Sequence, residues 1–352
     1  MLGRGQPDDR RNQRGHKMKF KNALSFDDVL LVPKKSDIQS REEVDLTVEL
    51  KDDRLTLPIV SSPMDTVTET DMAATMALYG GLGIVHRYNT IEEQCNLVSM
   101  GGWKKGAAIG VSSDLLERSR ALWDAGVKIF CVDVAHGHHS LMERGIKTLK
   151  DSFGEEATII AGNVATAQGY FDLSQWGADA IRVGIGGGSI CSTRIQTGHG
   201  VPTFQSICDC AMVDGPPIIA DGGIKNSGDI VKALAAGADV VMLGSLLAGT
   251  TESPGDVFSG SGDKKYKVYR GMASVEAQVA WRGEARSLEG ISTTIPYKGS
   301  VKTILDSLRQ NIKSGLSYTG VRTIRELQLK AQFIQQSSAG LSESRTHILN
   351  VK

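Results

Sequence analysis

The chain has 352 residues, 40% of them hydrophobic, enough for one large barrel or two smaller domains. Lysine plus arginine and aspartate plus glutamate stand at 40 each, so the formal net charge is zero. Nucleic acid and anionic membranes call for clustered positive charge, so neither is expected as a partner; a small anionic ligand needs only a local pocket.

Residues 1–17 carry almost no hydrophobic side chain and read as a disordered leader before Met18, without the apolar segment of a secretory signal. From 18 to 352 the pattern is that of a single domain. Short, nearly continuous apolar runs predict strands at Pro58–Ser62, Leu82–His86, Ala107–Val111, Lys128–Asp133, Thr158–Gly162, Ala180–Gly184, Pro217–Asp221 and Asp239–Gly244. Helical patterns lie between them. Three junctions repeat one phrase, Asp124-Ala-Gly-Val-Lys128, Gln175-Trp-Gly-Ala-Asp179 and Ala235-Ala-Gly-Ala-Asp239. In each, a glycine stands where a helix ends in the left-handed conformation and a strand follows.

Eight consecutive βα units predict an α/β fold of the (β/α)8 TIM-barrel type rather than a doubly wound sheet. A dinucleotide-binding sheet would want Gly-x-Gly-x-x-Gly after its first strand, and Ser61-Ser-Pro-Met-Asp65 stands there instead. Only Ser99–Lys105 separates the second helix from the third strand, so no inserted domain is expected at that point. Residues 250–298 form a polar stretch before a last large helix near Val301–Lys313, and a segment of that length at the rim suggests a lid or flap.

Barrel chemistry belongs at the C-terminal ends of the strands, which here carry Ser62, Met64, His86, Asp133, Asn163, the Gly184–Arg194 loop, Asp221-Gly-Gly223 and Gly244-Ser245. The most pointed signal is Gly184-Ile-Gly-Gly-Gly-Ser-Ile-Cys-Ser-Thr-Arg194, a glycine loop in which backbone groups can approach a ligand or ion. Most free thiols only pack. Cys191 differs because it is flanked by Ser189, Thr193 and Arg194, and oriented N–H groups and positive charge favour a thiolate nucleophile. Glycine amides at 222, 223 and 244, with the Ser189 and Ser245 hydroxyls, can hold a phosphate; Asp221 suits a ribose diol. Taken singly, these glycine pairs are equally those of tight βα turns.

The cysteine count is five and odd, without disulfide-like spacing, and points to a reducing, cytoplasmic setting. Cys208-Asp-Cys210 has no second pair at zinc-like spacing and reads as helix packing.

Leu24-Ser-Phe-Asp-Asp-Val-Leu-Leu-Val-Pro33, Met64-Asp-Thr-Val67, Ala161-Gly-Asn-Val164, the cysteine loop, Ala220-Asp-Gly-Gly223, Met242-Leu-Gly244 and Tyr269-Arg-Gly-Met272 together resemble the IMP dehydrogenase/GMP reductase family, from Lys19 nearly to the end. The resemblance implies that Cys191 adds to the purine C2 of a nucleoside monophosphate. It implies nucleotide binding by Ser62, Met64, Arg182, Ser189, Asp221, Gly222, Gly223, Gly244, Ser245, Tyr269, Gly271 and Met272. Asp133, Asn163 and Ser274 would lie near a nicotinamide cofactor. The backbone carbonyls of Gly186, Gly188 and Cys191 would offer a site for a potassium ion, which in the dehydrogenase is shared with a neighbouring subunit's tail. A homotetramer is implied as well. Gly187 departs from the usual proline, which is expected to loosen the loop.

Within the family, the dehydrogenase hydrolyses its intermediate with an Arg-Tyr pair on a long flap, whereas the reductase expels ammonia and takes hydride from NADPH. Here sixteen residues separate Met272 from Glu289, and none of their steps is Arg-Tyr. The expected activity is therefore NADPH-dependent GMP reductase, with Thr193 and Glu289 handling the protons of departing ammonia and Arg286 meeting the extra phosphate of NADPH. Lys264-Lys-Tyr-Lys-Val-Tyr269, and Leu316-Ser-Tyr-Thr-Gly320 after the last helix, lean the same way. Ser25-Phe-Asp-Asp28 and Ser338-Ala-Gly-Leu-Ser-Glu-Ser344, within the tail at 336–352, lean toward a minimal NAD-dependent IMP dehydrogenase. A non-enzymatic nucleotide-binding protein is the third reading, disfavoured by the Cys191–Thr193 pair. His136-Gly-His-His139 looks metal-like but sits where the family has a cofactor-facing His-Gly-His, so zinc is not expected.

Overall fold

In the computed structural model, residues 21–260, 262, 264–285 and 289–344 are described. The leader at 1–17 and Arg286 lie outside them. Eight parallel strands close into a barrel: β1 (Ile59–Ser61), β2 (Leu82–Val85), β3 (Gly106–Ile109), β4 (Ile129–Asp133), β5 (Thr158–Val164), β6 (Ala180–Val183), β7 (Ile218–Asp221) and β8 (Val240–Leu243). Each pairs with its sequence neighbours, and β8 returns to β1 with Val241 opposite Ile59.

All eight predicted strands are present. β3 stops at Ile109, its last partner of Val132, rather than reaching Val111, and β5 runs on to Val164 through an irregular register beside β6. Helices follow the strands: α1 (Thr70–Leu78), α2 (Ile91–Ser99), α3 (Leu115–Asp124), α4 (Ser140–Phe153), α5 (Ala167–Gln175), the short α6 (Thr193–Thr197), α7 (Thr203–Cys210) and α8 (Ser227–Ala235). The three repeated junction glycines, Gly126, Gly177 and Gly237, have φ of 92°, 101° and 114°, a backbone region side chains avoid. α2 ends at Ser99 and β3 begins at Gly106, so no domain interrupts the barrel there.

Alternation along the strands sorts the apolar side chains into two cores. Val60, Leu82, Ile84, Ala108, Ile129, Ile160, Ala180, Ile219, Val240 and Met242 fill the barrel interior, joined by Leu50 and Leu55 of a hairpin (Val48–Leu50 with Asp53–Leu55). Ile59, Val85, Ala107, Phe130, Ile159, Ile181, Ala220 and Val241 face the helices in a larger cluster. The interior is thus packed, which leaves chemistry to the rim.

The stretch at 250–298 has its own structure. Strands β9 (Phe258–Ser259), β10 (Lys265–Arg270) and β11 (Ser292–Pro296) form an antiparallel sheet, with α9 (Val275–Arg282) between the last two. The last large helix, α10 (Val301–Thr319), is six residues longer than its predicted end and is capped by Gly320 at φ 70°. Leu316-Ser-Tyr-Thr-Gly320 is therefore its final turn and cap, not a segment after it. Beyond, Phe333–Gln335 pairs antiparallel with Val29–Leu31, fastening the two ends of the domain together.

Candidate active site

A cleft of about 570 Å³ opens at the C-terminal ends of the strands. Its walls hold Ser62, Met64, Asp133, Asn163, Arg182, Gly186, Gly188, Ser189, Cys191, Thr193, Asp221, Gly222, Gly223, Gly244, Ser245, Tyr269, Gly271, Met272 and Glu289. Of the expected site residues within the described part, only Ser274 is absent from it. Its hydroxyl is fully buried and accepts from the Ala277 amide, so it caps α9 rather than facing a ligand.

On one side of the cleft, the cysteine loop leaves β6 through Gly184. Its φ is +145°, and an added Cβ would stand 1.9 Å from the Asp221 carbonyl oxygen, so only glycine lets the two strand ends approach. At the far end of the loop the Cys191 thiol donates to the Thr193 hydroxyl at 3.3 Å, and that hydroxyl donates to Glu289 Oε2 at 2.8 Å. Glu289 is carried there by backbone pairing. Ser192 N–H donates to the Glu289 carbonyl at 3.0 Å, Ile291 N–H to Ile190 at 3.1 Å, and Gly271 N–H to Ile291 at 3.0 Å. Thiol, hydroxyl and carboxylate thus form a relay along which a proton can leave sulfur or return to a leaving group. Arg194 does not join it. Its guanidinium donates to the carbonyls of Val201 at 2.7 Å and Ile185 at 3.5 Å, bracing the loop's outer side.

A second wall, reached from the same strand β6, is a network of charged side chains. Arg182 on β6 is buried and donates to Asp133 Oδ1 at 2.6 Å and to Asp221 Oδ2 at 2.8 Å. Burial opposes the guanidinium's charge, but Cys131, Asp221 and Asp133 outweigh it and hold its pKa above the ordinary value. Asn163 Nδ2 donates to the same Asp221 oxygen and to the Gly184 carbonyl, both at 2.8 Å. Both donors thus fall on one Asp221 oxygen, while Asn163 Oδ1 is buried without a partner among the described residues.

At the third corner, buried Tyr269 is hydrogen-bonded to Ser189, and burial pushes the phenol's pKa up. Lys298 donates to the Ser245 carbonyl at 2.5 Å and to Leu246 at 3.3 Å, drawing the loop after β8 outward by its carbonyls. Arg270 clasps Asp65 Oδ2 through Nε at 2.9 Å and Nη2 at 2.6 Å, fixing the base of the 250–298 segment to the loop after β1.

Sequence reasoning missed Arg87 and Tyr88, which also line the cleft just past β2. Arg87 donates to the Asp133 carbonyl at 3.1 Å and lies 5.0 Å from the Tyr88 ring and 5.6 Å from that of Trp281 on α9. Tyr88 and Trp281 meet edge to face at 5.1 Å. Their place directly after His86 at a strand end was the available signal. In the histidine cluster His138 pairs with Asp172 at 2.7 Å and His139 caps α4; among the described residues no group of three or more His, Cys, Asp or Glu is placed to hold a metal ion.

Known proteins share this arrangement along nearly its whole length. Residues 23–347 match the IMP dehydrogenase / GMP reductase domain. The inosine-5'-monophosphate dehydrogenase of Nitrosopumilus maritimus is 36% identical, over 94% of this chain and 99% of its own. The GMP reductase of Leishmania major is 33% identical over 92% of this chain and 96% of its own. Both alignments, at 473 and 475 positions, are longer than this chain, so these relatives carry segments it lacks. The structure of a cysteine-to-alanine GMP reductase from Trypanosoma brucei in complex with guanosine 5'-monophosphate superposes with a TM-score of 0.89 at 30% identity, covering 93% of this chain and 98% of that one. With its closed barrel and a match spanning almost every described element, the chain belongs to the IMP dehydrogenase/GMP reductase family of nicotinamide-dependent purine nucleotide oxidoreductases.

Proposed function

We propose that this chain is a GMP reductase, converting GMP to IMP and ammonia with NADPH through a covalent bond between Cys191 and purine C2. The observation that carries the reductase reading is the sixteen-residue stretch between Met272 and Glu289, which lacks an Arg-Tyr step; the Cys191–Thr193–Glu289 relay supports the covalent chemistry but, Glu289 being common to both activities, does not choose between them. The Cys191 proton passes toward Glu289, and sulfur adds to C2. The 2-amino group takes a proton through Thr193 and leaves as ammonia, so the C2–N bond breaks as the C2–S bond is kept. NADPH, when bound, supplies a hydride to C2. Cys191 then departs as thiolate and is reprotonated.

The phosphate is held by the amides of Gly222, Gly223 and Gly244 with Ser189, Ser245 and Tyr269, the ribose by the free oxygen of Asp221, and the base is flanked by Ser62, Met64, Gly271 and Met272. The orphaned Asn163 Oδ1, beside Asp133, fits a nicotinamide carboxamide donor. Arg286 is assigned to the extra phosphate of NADPH. Potassium would use the carbonyls of Gly186, Gly188 and Cys191, although the Gly188 carbonyl already accepts the Cys191 amide at 3.1 Å. A homotetramer in the cytoplasm completes the reading.

The 36% identity to an IMP dehydrogenase favours a second reading, NAD-dependent oxidation of IMP. Its water would need a base other than an Arg-Tyr pair on the flap. Arg87-Tyr88 is a poor substitute, since burial pushes Tyr88 up to about 12 and keeps the phenol protonated at neutral pH. The two readings separate in one assay of nicotinamide absorbance. GMP with NADPH should give NADPH loss, and IMP with NAD no signal; NADH formation from IMP would overturn the reductase.

A further inference from the structure

The glycine at 187 was expected to loosen the cysteine loop. The structure shows that space to be filled instead. A Cβ added to Gly187 would lie 2.4 Å from the hydroxyl oxygen of Thr203, the first residue of α7, whereas its next neighbours, Gly222 C and Gly223 N, would be at 3.3 and 3.4 Å. No φ in the left-handed range is involved at 187, so the obstacle is steric alone. Thr203 is 4% exposed, β-branched, and has few rotamers to retreat into. Its hydroxyl is buried without a partner among the described residues, so no hydrogen bond within the fold explains its presence. On the loop's inner side, Gly222 leaves so little room that its own Cβ would meet Gly188 N at 3.0 Å and Gly187 C at 3.1 Å. The cysteine loop at 187–188 is therefore in close contact with both the Gly222-Gly223 turn and the Thr203 side chain.

We propose that Thr203 is a positioning residue for the nucleophile: its hydroxyl takes the volume a side chain at 187 would need and sets how closely the loop rests on the Gly222-Gly223 turn. Cys191 lies four residues along the loop, its amide tied to the Gly188 carbonyl at 3.1 Å, so a shift at 187 is passed to the thiol. The inference deepens the reading of Cys191 as nucleophile and rests on it.

The test is a double-mutant cycle on the full chain, read by turnover, by melting temperature and by the rate at which iodoacetamide alkylates Cys191. Gly187→Ala should lower turnover and alkylation by about tenfold or more, with a smaller change in the KM for nucleotide. Adding Thr203→Ala removes the 2.4 Å obstacle and should restore both to within about threefold of the parent. Adding Thr203→Ser keeps the oxygen and should not restore them. A double Ala variant as slow as Gly187→Ala alone, or a fully active Gly187→Ala, overturns the proposal. If Gly187→Ala does not fold, recovery of folded, alkylatable protein on adding Thr203→Ala supports it, and failure to recover counts against it. Alkylation does not depend on catalysis, so the cycle is decided even if Cys191→Ala retains turnover and the nucleophile reading falls.

Discussion

The two walls of the cleft are built on opposite principles. The wall around Arg182 consists of side chains on barrel strands: one buried guanidinium between two carboxylates, with Asn163 bridging to the second. The wall around Cys191 consists of backbone: glycines with no side chains to hold it, braced by Arg194 outside and by amide pairing to residues 289–291 inside. Removing one member of the first leaves charge stranded in a low-dielectric interior. Removing the thiol at the centre of the second takes away one hydrogen bond, to the Thr193 hydroxyl, and strands no charge. Chemistry can therefore be deleted from the cysteine wall without harming the fold, and the charged wall cannot be altered without harming it.

Three substitutions press on this difference. The largest effect should come from Cys191→Ala, which is expected to lower turnover by a thousandfold or more, as an order-of-magnitude estimate, while melting temperature and nucleotide affinity stay close to the parent's. Residual activity within tenfold of the parent, again as a rough threshold, would remove covalent catalysis from the scheme. Next is Arg182→Met, which removes the cation shared by Asp133 and Asp221. Among the described residues this leaves Asp133 only Arg87 at 3.7 Å and Asp221 only the Asn163 amide at 2.8 Å, and it should cost about 3–5 kcal/mol in denaturant unfolding. A loss below roughly 1 kcal/mol would show the wall to be far better hydrated than its burial implies. Glu289→Gln keeps the shape of the relay but not its basicity, and should reduce turnover about a hundredfold with unchanged stability. If it reduces turnover and stability together, the carboxylate belongs with the structural wall.

Much of this was legible in the sequence, for reasons that can be named. The strands declared themselves because parallel strands buried on both faces are nearly continuous apolar runs, and the junction glycines marked where helices stop. Cys191 was legible because its loop is local, with every relevant glycine within a few positions. What escaped depends on contacts between distant segments. Trp281 reaches Tyr88 and Arg87 from α9, and nothing in either stretch announces the other. Arg194 is adjacent to Thr193 and close to Cys191 in sequence, yet the turn into α6 sends its guanidinium toward Val201. Ser274 follows Met272 closely and resembles a ligand contact, but helix capping claimed its hydroxyl. Thr203 drew no notice because a threonine at a helix start is ordinary; only the missing Cβ of Gly187 gives it meaning.

The amide pairing that carries Glu289 to Thr193 has a consequence for how such enzymes diversify. Gly271 and Ile291 are one rung of that pairing, and Glu289 with Ser192 another. The described residues between these rungs, 273–285 with α9 among them, leave the ladder at Gly271. A change of length there need not move the acid away from the thiol, because the rungs on either side hold Glu289 and Cys191 in register; the Trp281 contacts with Arg87 and Tyr88 tie its contents to the cleft. What approaches Cys191 from the 273–285 side and what holds Glu289 beside it are thereby set by separate parts of the chain.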